Sequence, residues 1–257
     1  YSFDVTVDGK YIGSIDNYGD TVFEGNYSKI ELPLNDFDKT ITLGEGKKTV
    51  EIYFPYTVKV NLKEVSVSDG AFVEPALKQD KMLMFGDSIT QGYDSLRNIH
   101  HYTAQLGNAL GLEIVNKGIG GEVFKPELAR CKEPYDPKIV TIAYGTNDWS
   151  KSSPEIFERD CREFYKTVSE IYPNAKIFGI TPPWNKNFDN TEKAMTFKEL
   201  SDKIERLTSN LENVTIIRGD NLIPHDEKYF GDLFVHPNNE GFDHYFKNLY
   251  NEIKKYF

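Results

Sequence analysis

The spacing of apolar residues changes near residue 81, and this change constrains the fold more than any other feature of the sequence. Beyond that point, short apolar runs alternate with segments in which apolar residues recur every three or four positions, the spacing of an amphipathic helix. Strands that alternate with helices in this way predict a parallel sheet covered by helices on both faces. The predicted strands are 82–85, 113–116, 139–144, 176–180 and 214–218.

Three apolar stripes at helical spacing lie near 157–171, 197–207 and 242–253. Each stripe places its apolar side chains on one face of a helix, so we expect these helices to pack against the sheet as core. Ligands of such open sheets bind beyond the carboxyl ends of the strands. We therefore expect functional residues in the loops that follow the strands.

The first 67 residues show no helical period and carry frequent turn residues. Alternating apolar residues, clearest in 58–62, are typical of half-buried strands. We expect a small all-β sandwich or jelly-roll domain at 1–67, a linker at 68–80 and an α/β domain at 81–257. The β domain is either a sugar-binding module or a lid that contributes a wall of the cleft. We favour the second, because about 67 residues make a marginal independent core. Its predicted strands are 2–7, 11–15, 30–34, 40–43, 49–54 and 58–67.

The charge of the chain disfavours two classes of partner. Its 257 residues carry a formal net charge of −10, which repels nucleic acid and anionic membrane surfaces. No apolar run approaches the ~18 to 20 residues that a membrane span needs. We therefore expect a neutral substrate, a small molecule or an oligosaccharide, with no nucleic acid and no membrane as partner.

The two cysteines, Cys131 and Cys161, both fall in predicted helices. We expect free thiols and, from them, a cytoplasmic location. No leader peptide follows Tyr1, but processing could have removed one, which leaves secretion as the alternative. No Cys, His or Asp cluster has the spacing of metal ligands, so we expect no metal.

Ser88 lies in the predicted turn between the first strand of the α/β part and the helix that follows it, within the segment 85–92 (FGDSITQG). The flanking glycines allow a tight turn, and the helix N-terminus would direct backbone N–H groups towards charge that develops beside the hydroxyl. Taken alone, Gly-Asp-Ser is also ordinary turn chemistry. Three later segments, 116–122, 144–148 and 232–238, offer the other parts of a serine esterase: a glycine N–H, an asparagine amide and a histidine.

The four segments together resemble the SGNH (GDSL-type) hydrolases over residues 82–257. The family's serine, glycine, asparagine and histidine match Ser88, Gly121, Asn147 and His236. The resemblance implies a three-layer α/β/α flavodoxin-like domain and a serine esterase that needs no cofactor. It implies Ser88 as nucleophile, His236 as base, and an oxyanion hole formed by the N–H groups of Ser88 and Gly121 with the Asn147 amide.

The aspartate of the family pattern is displaced in this sequence. The family usually places it three residues before the histidine, where this chain has Leu233, and the nearest acid is Asp232. Either the loop carries one extra residue and Asp232 orients the imidazole, or a Ser-His dyad uses a backbone carbonyl instead. We favour Asp232, because an anion also stabilises the imidazolium as it forms. We expect the remaining acids of these segments, Asp87 and Asp148, to hold loops.

Three further residues are candidates near the site. His225 beside Asp226 is the main rival base. Trp149 and Trp184 follow strand ends, where they could stack on a substrate or simply pack the loops.

The architecture, a β domain ahead of an SGNH domain, is similar to that of certain carbohydrate acetylesterases. We therefore expect hydrolysis of O-acetyl esters on carbohydrates. The alternatives are a lipase or thioesterase-type acylhydrolase, which would use the same residues, and a carbohydrate-binding protein with an inactive site.

Overall fold

The computed structural model describes residues 1–76 and 80–257. Near the N-terminus, strand β1 (Ser2–Val7) pairs antiparallel with β2 (Lys10–Asp16) and with β3 (Val50–Tyr53). The β1–β2 turn consists of Asp8 and Gly9, both with positive φ, as a two-residue hairpin requires. No helix occurs within residues 1–76, so this part is an all-β unit, as predicted.

Three of the predicted N-terminal strands, 30–34, 40–43 and 58–67, do not form. Pro33 interrupts the first of them, because proline cannot donate a ladder hydrogen bond. Residues 61–67 are exposed along their whole length. Alternation specifies which face a strand would bury, but it does not supply the neighbouring backbone that a strand needs. In the predicted linker, residues 68–76 contain no helix or strand, and 77–79 lie outside the described residues.

The parallel sheet predicted from the sequence is confirmed. Its strand order is β5-β4-β6-β7-β8, the order of flavodoxin-like folds. Strand β4 is buried from Met82 to Gly86 and pairs in register with β5 and β6 on either side. The bounds are β4 Lys81–Gly86, β5 Glu113–Gly118, β6 Ile139–Ala143, β7 Lys176–Ile180 and β8 Val214–Ile217.

Helices cover both faces of this sheet, which confirms the three-layer architecture. Successive strand residues face opposite sides, so Leu83 and Phe85 join one core cluster while Met82 and Met84 join the other. The first cluster packs under α5 and α6 and the second under α2 and α7. The α-helices are α1 Ser88–Gln91, α2 Tyr102–Leu110, α3 Pro126–Ala129, α4 Asp148–Lys151, α5 Pro154–Ile171, α6 Phe197–Thr208 and α7 Asn239–Ile253.

The N-terminal sheet packs against the loop that precedes α2. The guanidinium of Arg97 donates to Asp16, with an N···O distance of 2.5 Å, and to the Ser2 hydroxyl at 2.9 Å. It also lies 5.0 Å from the centre of the Tyr18 ring. The backbone N–H of Ile99 donates to the buried Asp4 carboxylate at 3.1 Å. Polar contacts therefore join the N-terminal sheet to the α/β part through the loop before α2.

Both cysteines are free thiols, as predicted; Cys161 is buried in α5, whereas Cys131 is exposed just after α3. Within the described parts of the chain, no helix has the length and apolar composition to cross a bilayer.

Candidate active site

Ser88 is the first residue of α1, just after the carboxyl end of the interior strand β4. Asp87 caps this helix, because its carboxylate accepts the N–H of Ile89 at 3.0 Å. The end of β5 approaches α1 closely: a Cβ placed on Gly118 would lie 2.4 Å from the backbone nitrogen of Gln91. Only glycine fits there, and this contact brings the loop after β5 against the turn that presents Ser88.

A chain of hydrogen bonds joins Ser88, His236 and Asp232. The Ser88 hydroxyl oxygen lies 2.8 Å from Nε2 of His236, and Nδ1 of the same ring lies 2.7 Å from Oδ2 of Asp232. His236 belongs to the loop that precedes α7, whereas Ser88 lies 148 residues earlier in the chain. The fold therefore brings a nucleophile, a base and an acid into one line, the arrangement needed to take a proton from the hydroxyl.

Asp232 is held by the backbone of its own loop. Its Oδ1 accepts the N–H groups of Phe234 and Val235 at 2.8 Å and of His236 at 3.1 Å. Leu233 adopts a positive φ of 56°, which accommodates one additional residue between the acid and the histidine. This is the geometry of the first alternative from the sequence, in which the longer loop still brings the carboxylate to the imidazole.

The charge state of Asp232 determines which imidazole nitrogen carries the hydrogen. Burial alone would raise the pKa of Asp232, but hydrogen bonds from His236 and from the loop backbone outweigh it and hold this pKa below its ordinary value. An ionised carboxylate can only accept hydrogen bonds, so Nδ1 of His236 is the donor. Nε2 then presents its lone pair to the Ser88 hydroxyl, as a general base must.

The two predicted oxyanion-hole residues lie in the loops beside Ser88. A Cβ on Gly120 would lie 4.0 Å from the Cβ of Ser88, so the segment that carries Gly121 borders the nucleophile. The Asn147 amide donates to the carbonyl of Glu122 at 3.1 Å and makes a longer bond of 3.4 Å to Asp87. These bonds hold the amide between the loop of Gly121 and the turn of Ser88.

Two buried acids lie behind this arrangement. Burial raises the pKa of Asp87 to about 6 and that of Asp148 to about 7. Asp148 accepts the N–H of Phe124 at 3.3 Å and the Ser152 hydroxyl at 3.3 Å. Both carboxyl groups bond to neighbouring loops and not to the His236 ring, which is the role predicted for them from the sequence.

The other candidates from the sequence, Trp149, Trp184 and His225, contact residues outside the Ser88–His236–Asp232 group. Trp149 is only 8% exposed and stacks on Phe197 with ring centres 4.8 Å apart, so it packs the core. Trp184 is half-buried and stacks on His225 at 5.3 Å. His225 itself bonds to the backbone carbonyl of Asp220 at 2.7 Å, which engages its Nε2 elsewhere.

The structure adds neighbours of the site that the motifs did not indicate. Tyr93 is exposed, and its ring lies 4.8 Å from that of His236. Phe234 and Ile119 are also exposed, in the loops of His236 and Gly121 respectively. Asp94 places a carboxylate oxygen 3.9 Å from Nδ1 of His236. Tyr93 and Asp94 follow Ser88 closely in sequence, which is the one signal that could have pointed to them.

One group of side chains among residues 1–76 and 80–257 could converge on a metal ion. The ligand atoms of Asp94, Asp232 and His236 lie within 4.8 Å of one another. A metal there would need Nδ1 of His236 as its ligand and would displace the hydrogen that Asp232 accepts. The hydrogen-bond geometry therefore favours proton transfer at this group over metal binding.

Comparison with known proteins places this geometry in context. Residues 84–244 match the model of the GDSL-like lipase/acylhydrolase family. No curated protein sequence matches the chain at a significant level.

Three solved structures share the fold along 99% of this chain. Salicylyl-acyltransferase SsfX3, from a tetracycline biosynthetic pathway, is 18% identical with a TM-score of 0.79, and 73% of its chain is covered. A family two carbohydrate esterase from Clostridium thermocellum, in complex with cellohexaose, is 17% identical with a TM-score of 0.68 and 85% coverage. A carbohydrate esterase family 2 enzyme from Corynascus thermopiles (Myceliophthora fergusii) is 17% identical with a TM-score of 0.63 and 86% coverage.

Proposed function

Because the chain belongs to the GDSL-like lipase/acylhydrolase family, we propose that it hydrolyses O-acetyl esters of carbohydrates through an acyl-enzyme on Ser88. Family membership makes the protein an ester hydrolase, and the proposal adds the substrate class and the role of each residue. The observation that carries it is the hydrogen-bonded chain from the Ser88 hydroxyl through His236 to Asp232.

The first half of the reaction forms the acyl-enzyme. Ser88 Oγ attacks the ester carbonyl carbon while Nε2 of His236 takes the hydroxyl proton. The carbonyl oxygen becomes an oxyanion, which the N–H groups of Ser88 and Gly121 and the Asn147 amide stabilise. The tetrahedral intermediate then expels the sugar alkoxide, which receives the proton from His236, and Asp232 stabilises the imidazolium that exists between these steps.

The second half restores the enzyme. Water attacks the acyl carbon, His236 takes one of its protons, and the collapse of the second tetrahedral intermediate releases acetic acid and regenerates the Ser88 hydroxyl. Each step uses the same three side chains, and no redox change or cofactor is involved.

Three observations support a neutral carbohydrate ester as substrate. Two structural neighbours with the same two-part architecture are carbohydrate esterases, one of them solved with cellohexaose. The exposed side chains of Tyr93 and Phe234 beside His236 provide apolar faces of the kind on which sugar rings stack. The net charge of −10 also favours a neutral ligand over an anionic one.

The test is acetate release from acetylated xylan, mannan and oligosaccharides, together with a chain-length series of 4-nitrophenyl esters. We expect acetate release that Ser88→Ala lowers by at least about 10⁴-fold, because the variant lacks the nucleophile. Ser209→Ala is the matched control: this exposed hydroxyl bonds to the carbonyl of Arg206 at the end of α6, and its loss should leave the rate unchanged.

The other outcomes identify the alternatives. Activity confined to longer acyl chains would indicate a general acylhydrolase. Acetyl transfer to an added alcohol in preference to water would indicate an acyltransferase, the activity of the neighbour SsfX3. Glycan binding with a Ser88 that resists a fluorophosphonate would indicate a non-catalytic protein, and full activity of Ser88→Ala would contradict the site itself.

A further inference from the structure

We propose that Asp94 is a second carboxylate that stabilises the protonated His236 ring through its charge, and that the N-terminal β unit holds Asp94 in place. The inference rests on the proposed function, since it assigns a positioning residue to the same site. It also gives the N-terminal unit a part in catalysis, through the residues that bind Asp94.

Asp94 faces the same imidazole nitrogen as Asp232. Its Oδ2 lies 3.9 Å from Nδ1 of His236, whereas Oδ2 of Asp232 lies 2.7 Å from that atom. The longer distance excludes a hydrogen bond, so Asp94 acts on the ring through its charge. Its side chain is only 5% exposed, which limits the screening of that charge by water.

Three residues of the N-terminal unit bind Asp94. The Ser28 hydroxyl donates to Oδ2, and the Tyr27 hydroxyl donates to the backbone carbonyl at 2.9 Å. The backbone N–H of Asp94 donates to the Tyr56 hydroxyl oxygen at 2.9 Å. Asp94 adopts a positive φ of 67°, a conformation that costs free energy in a residue other than glycine and persists where its surroundings hold it. The bonds from the N-terminal unit supply that restraint.

Tyr27 also contacts the loop that carries Asp232. Its backbone N–H donates to the carbonyl of Gly231 at 3.1 Å. A Cβ on Gly231 would lie 2.8 Å from both the Asp94 Cβ and the Tyr27 ring, so these groups pack together closely. One residue of the N-terminal unit thus lies between the two loops that bring carboxylates to His236. Burial raises the pKa of Tyr27 and of Tyr56, so both phenols stay neutral and add no charge.

The Ser28 bond explains how two acids can share one imidazole. Because Ser28 engages Oδ2 of Asp94, the Nδ1–H of His236 remains with Asp232, which fixes the tautomer. Burial raises the pKa of Asp94, and the Ser28 hydrogen bond opposes that rise, so it favours the charged form. When Ser88 gives up its proton, the imidazolium donates its Nδ1–H to Asp232 and is attracted by the charge of Asp94.

Several titratable groups surround the His236 ring and determine the charge in its environment. Asp94 and Asp232 face Nδ1, the ring of Tyr93 covers one side, and the buried Asp87 is the next acid. The N-terminal unit adds the phenols of Tyr27 and Tyr56. No cation bonds to Asp94 among the residues that the structure describes, apart from His236 when it is protonated.

The experiment measures how fast a fluorophosphonate labels Ser88 as a function of pH, which requires no knowledge of the substrate. In Asp94→Asn we expect labelling at pH 7 to slow about tenfold and the midpoint of the acidic limb to move down by about one pH unit. The direction follows because removal of a nearby negative charge makes protonation of the base harder. Asn keeps the size of the side chain and its bond to Ser28.

Ser28→Ala is the second variant, and it leaves Asp94 and His236 in place. We expect a smaller shift of the acidic limb in the same direction, since Asp94 then protonates more readily. Ser14→Ala is the matched control: Ser14 lies in the same N-terminal unit and its hydroxyl donates to the Asp4 carboxylate at 2.5 Å. Its labelling profile should equal that of the wild type.

The contrary outcomes are distinct. An acidic limb that stays in place in folded Asp94→Asn and Ser28→Ala would overturn the inference alone, because a merely structural role changes the melting temperature and not the limb. Equal shifts in Ser28→Ala and Ser14→Ala would overturn it as well, since they would reflect general loosening of the unit. A wild-type Ser88 that does not react would overturn the proposed function and the inference together.

Discussion

At the scale of single residues, Asp232 serves two purposes through its two oxygens. Oδ2 accepts the Nδ1–H of His236, and Oδ1 accepts three backbone N–H groups of its own loop. The same carboxylate therefore shapes the loop and sets the tautomer of the base. Because these tasks fall on different atoms, a substitution can separate them.

Asp232→Asn makes that separation. The amide oxygen can still accept the loop N–H groups, but the amide nitrogen would then face Nδ1 of His236 and force its hydrogen onto Nε2. We expect kcat to fall by about 10² to 10⁴-fold with little change in stability, as found when a triad acid is neutralised. The measurement is kcat on a 4-nitrophenyl ester together with a urea melt.

The matched control is Asp226→Asn. Asp226 accepts the N–H of Lys228, two residues later, and does not contact His236. A loss below about tenfold in Asp232→Asn would instead favour the Ser-His dyad that the displaced aspartate left open.

At the scale of elements, the short helix α4 and its N-cap residue, Asn147, connect the loops around Ser88. Asn147 donates to the carbonyl of Glu122, and the Lys151 ammonium donates to the carbonyl of Gly121 at 2.5 Å. Asp148 accepts the N–H of Phe124. One short helix therefore sets the position of the loop after β5, which carries a predicted oxyanion donor.

This arrangement predicts a pH-dependent stability. Burial raises the pKa of Asp148 to about 7 from an ordinary value of 3.8, so the fold favours the protonated form. That contribution is complete below the ordinary value and is lost as pH rises through about 7. In Asp148→Asn, which is neutral at every pH, we expect the fall in the free energy of unfolding between pH 5 and 8 to be smaller by about 2 kcal/mol.

Urea denaturation at both pH values measures this difference. Asp136→Asn removes an exposed carboxylate after α3 and should keep the wild-type pH dependence. Equal pH dependence in wild type and Asp148→Asn would contradict the raised pKa.

At the scale of the whole molecule, Arg97 connects the N-terminal sheet to the loop that precedes α2. Its guanidinium bonds to Asp16 and Ser2 of the N-terminal sheet and lies over the Tyr18 ring. The neighbouring Asn98 amide donates to the Ser2 backbone carbonyl. Since this contact is partly buried, loss of the guanidinium removes the cation that balances the Asp16 carboxylate.

Arg97→Ala tests this connection. We expect the free energy of unfolding to fall by about 2 kcal/mol, because Asp16 loses its ion-pair partner in a partly buried site. Thermal and urea unfolding measure the change. Arg159→Ala is the control, since Arg159 pairs with the adjacent Asp160 on the exposed surface of α5, and its loss should change stability little. Equal effects of the two substitutions would contradict the structural role of Arg97.

The α/β part and the N-terminal part differ in how well their strands could be predicted from the sequence. The strands of the parallel sheet are buried on both faces, so β4 and β6 appear in the sequence as continuous apolar runs with bounds correct to within a residue or two. In the N-terminal part, strands at 2–7 and 11–15 match β1 and β2, while 30–34, 40–43 and 58–67 have no pairing partner. Pairing depends on distant backbone that a local pattern does not contain.

The site likewise contains residues that the sequence identified and contacts that only the tertiary structure created. Residue types and their order along the chain were enough to select Ser88, Gly121, Asn147 and His236. The first three follow strands whose carboxyl ends lie at one edge of the sheet. The bond between Asp232 and His236 depends on a positive φ at Leu233, and the bond between Ser28 and Asp94 joins residues 66 positions apart. The packing of two sheets brings such side chains together, since hydrogen bonds form only at distances that the folded chain sets.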